Sequence, residues 1–145
     1  MSDRNLVQEL LARAAFAHDD DDARGLADCF TPDGLLEVWM IGDRRAATTT
    51  RGRDDISAHT ETSLSRKGSP RRHVLSTSRI EKSERDGAGV VHWVRTYLQV
   101  WELPANQVAR LVSTGTYRDE VLVTGGEALL RRRGVELDSS PFPSS

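Results

Sequence analysis

Apolar residues recur near the start of the chain at helical spacing. Leu6, Leu10, Ala14 and Ala17 fall on one line, with Val7, Leu11 and Ala15 beside it. The spacing predicts a helix running to about His18, opened by a capping box in which Asn5 caps and Gln8 reaches back. Asp22 then caps a short second helix that buries Leu26 and Phe30, and Pro32-Asp33-Gly34 turns the chain. From Gly34 to Met40 the pattern alternates, with Leu36, Val38 and Met40 on one face of a strand and Leu35, Glu37 and Trp39 on the other. Residues 42–52 read as a polar loop. Asp54 and Asp55 favour the start of a third helix carrying Ile56 and Leu64, broken by Gly68-Ser69-Pro70.

Beyond Pro70 the period changes to that of strands. His73 to Ile80 alternates, Arg85-Asp86-Gly87 turns, and Val90 to Trp101 is rich in aromatic and β-branched residues. After a connection at 103–107, Leu111 to Val123 and Ala128 to Leu137 form two further strands around the Gly125-Gly126 turn. Helices first and strands afterwards define an α+β domain spanning 1–138, followed by a patternless tail at 139–145 that should fray. A strongly curved, mostly antiparallel sheet wrapped over the N-terminal helices would leave a pocket between the two layers.

Composition narrows the class of partner. The 145 residues are 29% charged and carry a formal net charge of −2, which gives no electrostatic case for nucleic acid. Cys29 is the one cysteine, so no internal disulfide forms, and a reducing compartment fits. No apolar run is long enough for a bilayer, and no basic-then-apolar leader opens the chain; a cytoplasmic location and no membrane partner are expected.

Candidate chemistry starts at the end of the first helix. His18 and Asp19 close the apolar stripe, and a carboxylate at the rim of a core is costly unless something pairs with it. The run Asp19-Asp20-Asp21-Asp22 lacks the glycine and closing glutamate of a calcium loop, and its last three members suit a helix end and a helix start, so no metal is expected. On a strand Arg131-Arg132-Arg133 must alternate, which sends Arg132 to the opposite face from its neighbours and leaves one inward arginine. His59 and His92 have no convergent partner along the sequence and read as structural or surface residues. Cys29, beside Phe30, reads as a core thiol.

Several segments together carry a resemblance. They are Leu10-Leu11-Ala12-Arg13-Ala14, Asp19, the stretch from Leu26 through Cys29-Phe30-Thr31-Pro32-Asp33-Gly34, and Gly52-Arg53-Asp54-Asp55-Ile56. Arg71-Arg72-His73-Val74-Leu75-Ser76, Gly115-Thr116-Tyr117-Arg118-Asp119-Glu120 and the stretch from Arg131 to Asp138 complete the set. In this order the chain resembles the SnoaL-like branch of the nuclear transport factor 2-like superfamily. The resemblance implies a cone-shaped α+β fold and a site built on an aspartate at the end of the first helix and a histidine opening the strand after the third. Scytalone dehydratase and hexachlorocyclohexane dehydrochlorinase share that dyad; here it falls on Asp19 and His73.

By the same resemblance His18 and Val38 stand where the dehydratase carries pocket tyrosines, Arg133 is nearest to the pocket arginine of the dehydrochlorinase, and Tyr117 faces the pocket. With the strand alternation, the substrate wall is expected to comprise His18, Leu36, Val38, Met40, Leu75, Tyr117 and Arg133. The implied activity is that of a lyase, isomerase or cyclase working without a cofactor. It would abstract a proton from a small hydrophobic carbonyl or hydroxy compound, as in polyketide, steroid or aromatic metabolism. The same fold also hosts binding modules and small subunits of aromatic-ring dioxygenases. Relatives dimerise through the outer sheet face, so a homodimer is expected, with some of Trp39, Trp93, Tyr97 and Trp101 in the interface.

Overall fold

The computed structural model describes residues 1–140. Its elements are α1 (Asp3–Asp19), α2 (Ala23–Ala27), β1 (Phe30–Met40), β2 (Thr48–Arg51), α3 (Arg53–Ser65), β3 (Arg71–Asp86), β4 (Gly89–Glu102), β5 (Arg110–Thr124) and β6 (Glu127–Leu137). The expected helices-then-strands order holds, with three local differences. Helix α1 begins earlier than its apolar stripe: Ser2 is the N-cap, its hydroxyl accepting from the Asn5 N–H at 3.2 Å, so Asn5 lies inside the first turn. Phe30, expected in the second helix, instead opens β1. The Leu130 N–H donates to the Cys29 carbonyl at 2.7 Å and Phe30 pairs with Leu130, so the ladder to β6 overrides a continued helix. The threonines at 48–50, expected in a loop, pair antiparallel with Leu36 to Val38.

The strands form one sheet in the order β2-β1-β6-β5-β4-β3. Every neighbouring pair is antiparallel except β1–β6, which is parallel. The sheet is curved and open, with β2 and β3 as its edges. Bulges interrupt the register at Ser76/Ser78, where Thr77 takes a left-handed φ of 54°, and at Glu120/Val121. The second bulge corrects the arginine reading. Glu120 pairs with Arg132 and Val121 with Leu130, so Arg131 is the extra residue. Arg131 and Arg132 therefore share the outer face, and both bond Glu120 there.

The concave face closes on α1, α2 and α3. Val7, Leu10, Leu11 and Ala14 of α1 meet Phe30, Ile56, Val94, Val121 and Leu130 in one core. A second cluster, Leu98, Val100, Tyr117 and Leu137, lies farther along the strands. Between the clusters the concave face stays open. Residues 141–145 of the expected tail lie outside the described residues, whereas Ser139 is tied down, its carbonyl accepting from the Ser113 hydroxyl at 2.7 Å. Among the described residues no helix is long and apolar enough to cross a membrane.

Candidate active site

A carboxylate in the last turn of a helix meets the negative end of the macrodipole, so Asp19 is placed against local preference. Its partner supplies the compensation. Asp19 Oδ1 accepts from the His73 backbone N–H at 2.9 Å and lies 2.7 Å from His73 Nδ1. The backbone contact uses an N–H of an edge strand, where no ladder partner competes for it. One oxygen thus fixes both the strand and the ring on it. Both side chains are largely buried, at 10% exposure for His73 and 15% for Asp19. With the Nδ1–H on the carboxylate, Nε2 is the ring nitrogen left with a lone pair.

The other acidic residues of the run are used structurally. Asp20 is the C-cap of α1, and Asp21 adopts a left-handed φ of 60° while its carboxylate pairs with Lys67. Asp22 caps α2, accepting from the Gly25 N–H at 2.9 Å.

His73 lines a cavity of about 240 Å³ beneath the curved sheet. Leu36 and Val38 of β1, Leu98 and Val100 of β4, and Val135 and Leu137 of β6 make an apolar wall. His18, Tyr117 and Arg133 also line it. Two residues expected in that wall are elsewhere. Leu75 sits two places farther along β3 than His73, where it packs against both core clusters. Met40, at the far end of β1, packs on the second cluster and borders a groove on the opposite side of the sheet. Both keep the expected face of their strands but lie beyond the reach of the cavity. That outer groove, of about 470 Å³, runs past Trp39, Trp93, Glu120 and Arg132 and does not include the dyad.

His18 stacks on His73 with ring centroids 4.0 Å apart and planes inclined by 22°. Burial, and then the positive charges of His73, Arg133, Lys67 and Arg71, hold the His18 imidazole well below its ordinary pKa. His18 is therefore a neutral plate against the dyad histidine.

Arg133 and Asp119 are directly opposed across β6 and β5, and both are almost fully buried. They form a two-point ion pair, Nε to Oδ1 at 2.9 Å and Nη2 to Oδ2 at 3.0 Å. Burial works against the Arg133 charge, but Asp119 outweighs it and keeps the guanidinium protonated. Burial likewise pushes the Asp119 carboxyl up while Arg133 opposes it. Removing one partner of such a pair costs about 3–5 kcal/mol. The guanidinium carbon lies 3.8 Å from the Tyr117 ring centroid, a cation–π contact. Burial raises the Tyr117 phenol above its ordinary pKa, so it remains a hydroxyl donor.

Sequence reasoning did not place four residues at this site. Asp119 lies two positions after Tyr117 on the same strand, which was the signal that it faces inward too. His59, read as structural or surface, lines the cavity from α3 with Thr60 and Ser63; burial lowers its pKa. Lys67 and Arg71 also line the cavity. Arg71 could have been found from His73, since the two alternate onto one face of β3. His92 has the partners the sequence did not reveal: Ser83 Oγ at 2.7 Å from Nδ1 and Asp3 Oδ2 at 2.9 Å from Nε2. Cys29 is the expected buried thiol, directed at the Gly25 carbonyl.

An open, curved sheet closed by helices around an apolar cavity, with a carboxylate-paired histidine on the cavity wall, defines the α+β domain. The chain belongs to the SnoaL-like domain family, whose model matches residues 1–134. Among solved structures it is similar to ActVI-ORFA from Streptomyces coelicolor, at 22% identity and a TM-score of 0.79, over 93% of this chain and 97% of that one. A protein provisionally assigned as the beta subunit of an aromatic-ring-hydroxylating dioxygenase, from Novosphingobium aromaticivorans, aligns with 18% identity and a TM-score of 0.78 over 94% and 89% of the two chains. An NTF2-like protein with a cystatin-like fold from the same organism gives 23% identity and a TM-score of 0.70 over 95% and 84%. These likenesses establish the fold. No curated protein matches the sequence.

Proposed function

We propose that the protein is an enzyme of proton abstraction acting on a small, hydrophobic carbonyl or hydroxy compound. The observation that carries this reading is the 2.7 Å contact from Asp19 Oδ1 to His73 Nδ1, with the His73 ring on the cavity wall. Asp19 holds the Nδ1–H, so Nε2 accepts a proton from a carbon beside the activating group, and the carboxylate stabilises the imidazolium that forms. Charge developing on the substrate oxygen is met by Arg133 and the Tyr117 hydroxyl. The imidazolium then returns its proton to a departing hydroxyl in elimination, to another carbon in isomerisation, or, in ring closure, to the oxygen of a second carbonyl whose carbon the carbanion has attacked. Every protein group in this step belongs to the chain itself. A lone buried thiol suits a cytoplasmic setting. A second copy covering the outer face is part of the proposal, supported by Tyr97, 49% exposed there, and by the mixed charges around Trp39 and Trp93.

2-Tetralone serves as a probe, since its two rings suit the cavity and its carbonyl acidifies the neighbouring C–H. Deuterium uptake from D2O at that carbon, followed by NMR, should run well above the buffer rate with the folded protein. Uptake at the buffer rate would instead favour a binding module, or a structural subunit like the dioxygenase neighbour.

A further inference from the structure

The charges around the cavity are one-sided. Among the described residues lining it, Arg66, Lys67, Arg71 and Arg133 are cationic, and none is Asp or Glu. Arg133 is matched from behind by Asp119. The other three lie within residues 66–71, from the end of α3 to the first residue of β3, on one stretch of the cavity lining. A basic residue after a helix end complements the macrodipole, which accounts for Arg66 and Lys67 being there. It does not account for the Lys67 side chain lining the cavity with only 15% exposure, while its partner Asp21, 57% exposed, stays outside the lining. At Arg71 the nearby carboxylate is Glu102, which also lies outside the lining and is shared with Arg110.

Two groups register the resulting field. His18 is disfavoured as a cation by Arg133, Lys67 and Arg71 together, after burial. Burial lowers the Arg71 pKa, while Glu102 opposes that shift and Arg110 adds to it.

We infer that the substrate of this site is an organic carboxylate, its apolar body in the cavity and its carboxylate held between Lys67 and Arg71. Resting on the proposed proton abstraction, this gives the ligand a shape. Arg71 and His73 share a face of β3 two residues apart, about 7 Å along a strand, so the carboxylate sits a few bonds beyond the carbon facing His73. A cavity of about 240 Å³ limits the body to one or two rings.

The test is equilibrium binding of 2-naphthoate against its neutral analogue 2-naphthamide, measured by calorimetry. The naphthoate should bind at least about tenfold more tightly, and the preference should shrink severalfold in Arg71→Gln and in Lys67→Gln. A second measurement needs no variant: raising NaCl from low to physiological strength should weaken naphthoate binding and leave naphthamide unchanged. Equal binding, a preference for the amide, no naphthoate binding at millimolar concentration, or a preference indifferent to salt and to both substitutions would overturn the inference. The His73→Asn protein should keep the preference. Binding is read without turnover, so loss of the preference and loss of proton abstraction are separate outcomes.

Discussion

Helix α1 carries an aspartate–histidine pair at each end, and the two differ in ways that separate structure from chemistry. At its start, Asp3 bonds His92 Nε2 while Ser83 occupies Nδ1, so both ring nitrogens are engaged. That histidine is 8% exposed, borders none of the cavities described above, and joins the helix to the β3–β4 hairpin. Asp3 also sits in the first turn, where the macrodipole favours a carboxylate. At the other end the helix disfavours Asp19, one nitrogen of His73 is committed to it, and the ring borders a cavity. A buried His–Asp contact is therefore no sign of catalysis by itself. What marks the second pair is a spare nitrogen on a ring that borders a space a substrate could fill.

The sharpest way to break this comparison is to neutralise each aspartate in turn. Asp19→Asn keeps the shape but frees the imidazole to take the other tautomer, so 2-tetralone exchange should fall by about a hundredfold or more. Its effect should lie in kcat rather than KM. Asp3→Asn should leave exchange within about twofold. Next in size, His92→Ala should destabilise the fold by about 1–3 kcal/mol in urea denaturation, because a buried packed ring and two hydrogen bonds are lost. The surviving folded protein should exchange at the unmutated rate. If His92→Ala impaired exchange as much as Asp19→Asn, the assignment of the two pairs to different roles would fail.

The smallest effect is one of pH. The folded pKa of His18 lies below its ordinary value of 6.5, so between the two the unfolded chain binds the proton that the folded chain refuses. That contribution makes stability fall as pH drops below about 6.5, at up to about 1.4 kcal/mol per pH unit. In His18→Gln this part of the slope should disappear, giving a flatter stability curve between pH 5 and 6.5 than the unmutated protein. A slope unchanged by the substitution would mean that His18 is not held neutral against His73.

These pairs also show what the chain discloses before it folds. The α1 stripe is local and periodic, so the helix, its buried face and the position of Asp19 at the core rim were readable directly. Asp19 and His73 are 54 residues apart, and no periodicity links them; their pairing came from a family resemblance. The Asp3–His92 pair, 89 residues apart, had neither kind of signal. Register faults were equally hidden. The arginine triplet obeys alternation until a single-residue bulge at Arg131 places it beside Arg132, a choice made by pairing with β5. Phe30 went to a strand because of Leu130, a hundred residues away in the chain. The cationic part of the lining was written in Arg66, Lys67 and Arg71, but only the turn of the chain between α3 and β3 brings them to one cavity.

The central claim is that His73 takes the proton, and its most direct test is 2-tetralone exchange by His73→Ala at saturating probe. The substitution removes a ring on the cavity wall and leaves both core clusters intact, so the variant should fold, as circular dichroism and thermal unfolding can verify. The account predicts that exchange drops at least about a hundredfold, toward the buffer rate. A folded His73→Ala protein that still exchanges within a few-fold of the unmutated rate would contradict it.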